Sequence, residues 1–346
     1  MRNLKNFFLR ALVKLRPKGV HRSPLPTRIL VVSTTALGDT LWAMPGIESL
    51  RLSFPEAYIA VLTSPIGMGV LQENPWTNRL FPLAHPLSLW NTLRKERFDT
   101  ILIFHASQRF IAPLCALLSP QRLIGTKGLN KGLDDLFTQM LPLSSQHEIE
   151  RRLQLVKGIG GTAHSHTLSF FLTPEEKGIK KKGRLQIALH PGAKDPYKLW
   201  PLGHFAATGR KLQEALDCDI LITGHGAERP LMEKLAQLIP GSTLCDPNLS
   251  LRSFASLLDG MDLLICNDSG PFHLACALNR PAIAVYSPTD PKLCGPHHSQ
   301  SGIAIYKPRT CHPCLRRECQ KPFCLLQIGP DEVVQKAVKT LGGSRC

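Results

Sequence analysis

The sequence predicts an α/β protein made of two similar halves, each with a parallel sheet covered by helices. Three observations lead to this prediction. Apolar runs of strand length alternate with helix-length segments from Arg28 onward, which is typical of parallel sheets buried on both faces. A charged stretch punctuated by glycines, "TPEEKGIKKKG" at 173–183, interrupts the alternation. The chain has 346 residues, enough for two domains with separate cores.

The first half, 28–172, contains three clear candidate strands and two helix-length segments between them. The strands are "ILVVS", "YIAVLTS" and "DTILIFH", and the helical segments are "ALGDTLWAMPGIESLRLSF" and "PLSLWNTLRKERF". The half closes with "HEIERRLQLVKGIGG", which predicts a helix ending at glycines. We interpret 173–183 as the linker to the second half.

The second half, 184–346, alternates more regularly. Its strands are predicted at "RLQIALHPGA", "CDILITGHGA", "DLLICNDSG" and "PAIAVYSP", with helices such as "GHFAATGRKLQEAL" and "LRSFASLLDGM" between them. Parallel sheets bind ligands at the carboxyl ends of their strands. We therefore expect a ligand in a central cleft that the two halves face.

Composition limits the class of protein. The net charge is +16, from 42 basic and 26 acidic residues, and the apolar content is 43%. No apolar run reaches the roughly 18 residues needed to span a bilayer. The N-terminal stretch lacks the apolar core and cleavage site of a secretory signal, so we expect a cytoplasmic protein. Because zinc-finger, KH and RNP signatures are absent from the sequence, we expect no nucleic-acid partner.

The first 27 residues carry seven basic residues and no acidic one. Apolar residues at helical spacing, from Leu4 to Leu15, would line one face of a helix there. Such a basic amphipathic segment suits an anionic membrane surface, and we expect peripheral attachment. A frayed, solvated terminus is the alternative.

The most specific motif is "CNDSGPFHL", at the end of a predicted strand. Asp268, Ser269 and Gly270 precede Pro271, which is favoured at the first helical positions. Backbone amides at such a helix start bind phosphate groups, and His273 lies one turn further along. The alternative is an ordinary helix cap with a core histidine.

Two further strand ends carry candidate donor-binding residues. In "HPGAKDPYKLWP", Lys194 and Lys198 supply positive charge and Trp200 an aromatic wall. In "LITGHGAERP", Gly224 allows a turn and Glu228 is suited to ribose hydroxyls. The alternative for the lysine-containing segment is a solvated loop. The alternative for Glu228 is the acidic start of the next helix. Three such motifs in one domain predict a nucleotide-diphosphate site, whereas the lack of a P-loop and of G-x-G-x-x-G argues against kinases and dehydrogenases.

Three segments together resemble a known family. "STTALGDTLWAMP", "HPGAKDPYKLWP" and "CNDSGPFHLACALNRPAIAVYSPTDP" are similar to the signature segments of glycosyltransferase family 9, the bacterial ADP-heptose:lipopolysaccharide heptosyltransferases. The resemblance runs from about Arg28 to Leu341. It implies the GT-B fold with two Rossmann-like domains, an acceptor in the first half, a nucleotide-sugar donor in the second, and inversion at the anomeric carbon.

The resemblance also implies roles for two residues. Asp39 follows the single glycine of the first turn, where a carboxylate would repel a diphosphate, and it matches the acid that the family uses beside the acceptor. It would act as the general base on a sugar hydroxyl. Lys198 and the helix start at Ser269 and Gly270 would stabilise the leaving diphosphate. The alternative for Asp39 is an N-cap of its helix.

A cysteine cluster, "CHPCLRRECQKPFC", lies near the C-terminus. Four thiols in a C-x2-C arrangement with two further cysteines indicate a structural zinc or iron site. Buried free thiols or a reversible disulfide are the alternatives. The candidate ligands are Cys311, Cys314, Cys319 and Cys324.

Taken with the resemblance, the sequence predicts an inverting glycosyltransferase that moves heptose from ADP-heptose to a lipopolysaccharide core acceptor. We expect it on the cytoplasmic face of the inner membrane, with no cofactor required for catalysis. The alternatives are a protein O-heptosyltransferase, a family member using another nucleotide sugar, and a non-catalytic nucleotide-binding protein.

Overall fold

The structure is a computed structural model that describes residues 25–180, 183–312, 314, 318–319 and 323–342. The predicted membrane-binding segment at 1–27 lies outside the described residues, except for 25–27. The chain divides into two compact units, and the division falls between Thr167 and Leu168.

The described part of the first unit contains one parallel sheet of six strands, in the order β3-β2-β1-β4-β5-β6. The central strands are continuous apolar runs buried on both faces, as expected for a parallel sheet. The strands are β1 (Arg28–Ser33), β2 (Tyr58–Thr63), β3 (Arg79–Pro82), β4 (Thr100–His105), β5 (Arg122–Thr126) and β6 (Gln139–Leu141).

Helices connect these strands. One helix predicted over 36–54 is in fact two, α1 and α2, because Pro45 has no amide hydrogen and its ring blocks the helical bond to Leu41. The helices of the first unit are α1 (Leu37–Leu41), α2 (Met44–Ser53), α3 (Pro65–Leu71), α4 (Pro86–Leu93), α5 (Ile111–Leu117) and α6 (Glu148–Lys157).

The second unit repeats the architecture. Its described residues form a parallel six-stranded sheet in the order β12-β11-β10-β7-β8-β9. The strands are β7 (Leu185–His190), β8 (Cys218–Ile222), β9 (Thr243–Leu244), β10 (Leu263–Asn267), β11 (Ala282–Tyr286) and β12 (Gly302–Tyr306). The helices are α7 (Leu202–Ala215), α8 (Arg229–Leu238), α9 (Leu251–Asp259), α10 (Gly270–Ala277), α11 (Pro291–Cys294), α12 (Phe323–Leu326) and α13 (Pro330–Gly342).

The predicted linker at 173–183 begins as part of the second unit. Residues Pro174–Glu176 form a short 3-10 helix, and the Glu176 carboxylate pairs with Arg252 of α9. The Gly178 amide donates a hydrogen bond to Asp259 Oδ2 at 3.0 Å. These contacts join residues 176 and 178 to α9, while the predicted boundary at 172 and the linker at 173–183 stay predictions. Among the described helices, none combines the length and the apolar character that a membrane crossing requires.

Candidate active site

The three predicted donor motifs meet at one edge of the second sheet. Strands β10, β7 and β8 are neighbours and run parallel, so their carboxyl ends lie side by side. Ligands bind at this edge in open α/β sheets. The structure therefore brings together the segments that the sequence singled out, while their role in binding a donor stays a prediction.

Asn267, which belongs to the "CNDSG" motif but had no role predicted for it, holds two of these segments together. Its Nδ2 donates to the carbonyl oxygens of Pro191 at 2.8 Å and Gly192 at 3.2 Å. Its Oδ1 accepts a hydrogen bond from the Trp200 amide at 2.9 Å. Trp200 itself is buried, and its indole donates to the Ile328 carbonyl. The expectation that Trp200 offers an aromatic wall to a ligand is therefore wrong, because this side chain belongs to the core.

Lys198 and Asp268 form an ion pair in this edge, with Nζ and Oδ2 2.6 Å apart. The Lys198 side chain is 18% exposed and that of Asp268 is 5% exposed. Burial opposes the charge on Lys198, but the adjacent Asp268 carboxylate outweighs it and raises the pKa of Lys198 above its ordinary value. Lys198 is therefore a cation at neutral pH, held in a fixed position.

Helix α10 begins beside this pair. Ser269 is its N-cap residue, but the Ser269 hydroxyl donates to the Asn267 carbonyl instead of capping the helix. Gly270 is the first helical residue. His273 is buried, and its ring contacts Phe272 edge-on with the ring centroids 5.4 Å apart. The structure thus gives the burial of His273, while its role in donor binding stays a prediction, with a core histidine as the alternative.

Glu228 is tightly held at the end of β8. Its Oε2 accepts a hydrogen bond from the His225 amide at 3.0 Å and lies 3.6 Å from His190 Nε2. A Cβ atom at Gly192 would lie 2.0 Å from Glu228 Oε1, and one at Gly224 would lie 2.6 Å from the Met232 sulfur. Both glycines thus allow a close approach around Glu228.

Two other residues of this edge have opposite environments, since His190 is buried and Lys194 is exposed. Desolvation lowers the pKa of His190 to about 4, despite the nearby Glu228 carboxylate, so the ring is neutral. Its Nδ1 lies 3.1 Å from the Thr223 hydroxyl oxygen. Lys194, predicted to bind the donor, is exposed in the loop after β7.

The carboxylate of Asp39 lies near the carboxyl ends of β1 and β4, in the first turn of α1. Ala36 is the N-cap residue of that helix, so the alternative in which Asp39 caps the helix is wrong. The side chain is 20% exposed. Its Oδ2 lies 3.8 Å from His105 Nδ1, and its Oδ1 lies 3.5 Å from Arg152 Nη2.

His105 ends β4 and faces two groups. Its Nδ1 lies 2.9 Å from the Thr35 hydroxyl oxygen as well as near Asp39. Desolvation lowers the pKa of His105 below its ordinary value, although the Asp39 carboxylate acts in the opposite direction. The ring is therefore neutral near pH 7. A neutral imidazole and an ionised carboxylate together can hold a hydroxyl group and accept its proton.

The four candidate metal ligands are free thiols of different burial. Cys311 is exposed, Cys314 and Cys319 are half-buried, and Cys324 is buried. Thiolates are suitable ligands for zinc or iron. In the described part of the chain, however, no three of these sulfur atoms gather at the spacing of a metal site. A structural metal at this cluster stays a prediction.

The chain has the architecture of GT-B glycosyltransferases, in which two Rossmann-like units each carry polar residues at the carboxyl edge of a parallel sheet. The model of glycosyltransferase family 9 (heptosyltransferase) matches residues 87–324. The chain therefore belongs to this family and is a glycosyltransferase, which confirms the predicted fold class and family.

Individual relatives extend over nearly the whole chain. Lipooligosaccharide heptosyltransferase 2 of Campylobacter jejuni is 24% identical over 333 residues, covering 92% of this chain and 99% of that protein. The structure of E. coli ADP-heptose lps heptosyltransferase II is similar with a TM-score of 0.76 at 21% identity, over 92% of this chain and all of the other. The structure of E. coli heptosyltransferase WaaC with ADP has a TM-score of 0.72 at 19% identity. The match covers 91% of this chain and 100% of the other.

Proposed function

We propose that the protein transfers heptose from ADP-heptose to a lipopolysaccharide core acceptor, with inversion at the anomeric carbon. The relatives named as lipopolysaccharide and lipooligosaccharide heptosyltransferases support the sugar and the acceptor. The solved relative with bound ADP supports an adenine nucleotide. The observation that carries the proposal is the partly exposed Asp39 carboxylate between a neutral histidine and a buried arginine.

In this reaction Asp39 acts as the general base. An acceptor hydroxyl is a weak nucleophile at neutral pH, and its oxygen becomes nucleophilic as the proton passes to the carboxylate. The oxygen forms a bond to the anomeric carbon while the bond from that carbon to the diphosphate breaks. Attack from the face opposite the leaving group inverts the configuration.

Lys198 stabilises the leaving nucleoside diphosphate. Negative charge accumulates on the diphosphate as the glycosidic bond to it breaks, and a fixed ammonium group nearby lowers the energy of that state. The pair with Asp268 keeps Lys198 in place and protonated before the donor binds. The amide groups at the start of α10 act in the same direction. No cofactor takes part.

The test is a transfer assay with defined donors and acceptors. Purified protein is incubated with a heptose-deficient lipopolysaccharide core and ADP-heptose, ADP-glucose, UDP-glucose or GDP-mannose in turn. Mass spectrometry should show addition of one heptose from ADP-heptose only, and NMR of the product should show inverted anomeric configuration. Transfer from a different donor, or to a protein acceptor only, would overturn the proposal.

We further propose that the enzyme works in the cytoplasm, attached to the inner-membrane surface through residues 1–27. The support is the sequence of this segment, with its seven basic residues and its apolar positions. A membrane-held acceptor and the enzyme would then meet on one surface. Deletion of residues 2–22 should leave transfer to a delipidated acceptor intact and reduce co-sedimentation with anionic vesicles at low salt. Equal co-sedimentation of both forms would refute the attachment.

A further inference from the structure

A buried arginine in the first unit has hydrogen-bonding capacity that its own surroundings do not use. Arg152, on α6, is 1% exposed. Its Nη1 donates to the Glu148 carbonyl oxygen and to Glu148 Oε2, both at 2.7 Å. Its Nε and Nη2 have no hydrogen-bond acceptor among the described residues. A guanidinium is permanently charged, and burying it is unfavourable unless its donors are matched.

The unmatched side of this guanidinium is directed at the proposed base. Arg152 Nη2 lies 3.5 Å from Asp39 Oδ1, whereas His105 Nδ1 faces the other oxygen, Oδ2, at 3.8 Å. The two carboxylate oxygens thus have different neighbours. Oδ1 faces a fixed cation, and Oδ2 faces a ring that is neutral near pH 7.

The position of Arg152 is itself fixed by its neighbours. Glu148 lies one helical turn earlier on α6 and holds the Nη1 end. The guanidinium carbon lies 5.7 Å from the centre of the Trp42 ring, within the range of a cation–π contact. Arg151, the neighbouring residue, also pairs with Glu148. Glu148 thereby offsets part of the positive charge next to Asp39.

We propose that Arg152 is a positioning residue for Asp39, which holds the carboxylate through Oδ1 and directs Oδ2 towards the reacting hydroxyl. This inference rests on the proposed function, in which Asp39 is the general base. Because Oδ1 is held by Arg152, Oδ2 is the oxygen that takes the acceptor's proton as the new bond to the anomeric carbon forms.

The experiment compares four full-length proteins: wild type, Arg152→Gln, Arg152→Lys and Arg151→Gln. For each, kcat and the acceptor KM are measured, together with ADP affinity by calorimetry and stability by thermal unfolding. Arg151→Gln is the matched control, since it removes a charge next along the same helix and also a contact with Glu148. Among the described residues Arg151 pairs with Glu148 and forms no ion pair with Asp39.

We expect Arg152→Gln to lower kcat by roughly 10- to 100-fold, because the base loses its orientation. The acceptor KM and the ADP affinity of this variant should stay within about threefold of wild type, so that the loss falls on kcat. Arg152→Lys should show a smaller loss of kcat, since it retains the charge but not the planar fork. Arg151→Gln should stay within about threefold of wild type in all of these quantities.

Several results would overturn the inference. One is an unchanged kcat in Arg152→Gln, and another is a kcat lowered in parallel with thermal stability, which indicates a purely structural role. If Arg152→Gln fails to fold, judged by thermal unfolding, a folded Arg152→Lys protein with wild-type kcat would contradict the proposal, because lysine lacks the planar fork. The Asp39→Asn variant distinguishes failure of the proposed function from failure of the positioning role of Arg152. Full activity in Asp39→Asn removes the proposed base itself, whereas an inactive Asp39→Asn with a normal Arg152→Gln removes only the role of Arg152.

Discussion

Lys198 and Asp268 are joined across two strand ends of the second sheet, with 2.6 Å between Nζ and Oδ2. Lys198 follows β7 and Asp268 follows β10, so the pair connects the loops at the predicted donor site. A lysine paired in this way is ordered before any ligand arrives. In the proposed donor site a bound diphosphate would share the ammonium group with Asp268, and the strength of the pair would then be part of the donor affinity.

Lys198→Met should weaken ADP binding by at least about tenfold, because a charge-assisted contact to the diphosphate is lost. The same change should lower the free energy of unfolding by about 2 kcal/mol, since Asp268 is left buried without its counter-charge. Calorimetric titration and chemical denaturation measure the two effects.

The double variant Lys198→Met, Asp268→Asn separates these effects. It should recover most of the stability, because neither charge remains, but it should not recover ADP affinity. Recovery of both properties would mean that Lys198 serves only to neutralise Asp268. Wild-type ADP affinity in Lys198→Met would also remove Lys198 from the donor site.

Gly192→Ala tests the role of Glu228. The new Cβ would lie 2.0 Å from Glu228 Oε1, so the carboxylate must move, and a flexible side chain can do so without strain in the backbone. We expect ADP affinity to fall about tenfold if Glu228 holds the ribose hydroxyls, with stability lowered by about 1 kcal/mol because the displaced carboxylate leaves the His225 amide. Calorimetry and thermal unfolding provide the measurements. Gly203→Ala is the control, since a Cβ there meets no atom within 4 Å, and unchanged affinity in both proteins would leave Glu228 a helix-capping residue only.

The cysteine cluster predicts a bound metal. Protein purified without chelator should contain about one equivalent of zinc or iron, because four thiolates form a complete ligand set. Elemental analysis measures the metal, and thiol titration before and after chelation measures the ligands. Cys115→Ala is the control, since this thiol is buried in the first unit, whereas the cluster belongs to the second. Absence of both metals, with four freely titrating thiols in the cluster, would favour the free-thiol alternative.

The interiors of both sheets could be predicted from the sequence because their strands are long and apolar. Strands such as β1 and β10 consist almost entirely of buried apolar residues. The predicted motifs come immediately after these strands in the sequence, so their place at the strand ends could be predicted as well. The strands that escaped prediction include β3, β5, β6 and β12. Strands β3, β6 and β12 lie at sheet edges, where exposed residues dilute the apolar signal. Strand β5, "RLIGT", is short, and its arginine, glycine and threonine leave only two large apolar side chains. Their pairing depends on the rest of the sheet.

The contacts around Asp39 could not be predicted in the same way. They depend on how α6 packs against the rest of the first unit, and the sequence does not specify that geometry. One signal was present. In α6 the residues Ile149, Leu153 and Val156 form a buried stripe, and Arg152 lies on that stripe at helical spacing. An arginine among core positions indicates a buried partner, although not which one.

His190 makes stability depend on pH. Its pKa is lowered from 6.5 to about 4 in the folded protein, so below pH 6.5 the unfolded chain binds a proton that the folded chain does not. The free energy of unfolding should therefore fall as pH decreases from about 6.5 to about 4. For this one residue the loss between pH 7 and pH 4.5 is about 2 to 3 kcal/mol.

His190→Gln removes that titration while keeping a polar side chain. Denaturation curves at pH 7 and pH 4.5 should show a smaller difference for the variant than for wild type. The comparison of two differences cancels the contributions of other titrating groups. An identical pH dependence in both proteins would show that His190 is protonated as easily in the folded state as in the unfolded one.

Asp39→Asn tests the base directly. The amide has nearly the shape of the carboxylate but cannot accept the proton of the acceptor hydroxyl, so turnover should fall by roughly two to four orders of magnitude. ADP affinity should stay within a few-fold of wild type, because Asp39 and the proposed diphosphate site lie in different units. The measurements are kcat with saturating acceptor and donor, and calorimetry with ADP.

The control for Asp39→Asn is Glu56→Gln, which removes an exposed carboxylate of the same unit and should leave turnover unchanged. The pH dependence distinguishes loss of a base from loss of a binding contact. A missing contact raises the acceptor KM and leaves the pH–kcat profile in place. A missing base lowers kcat and, where hydroxide replaces it, makes the residual rate rise with pH through the alkaline range. A variant with wild-type kcat at pH 7 would exclude Asp39 as the base and return the question to His105, the other proton acceptor at this edge of the first sheet.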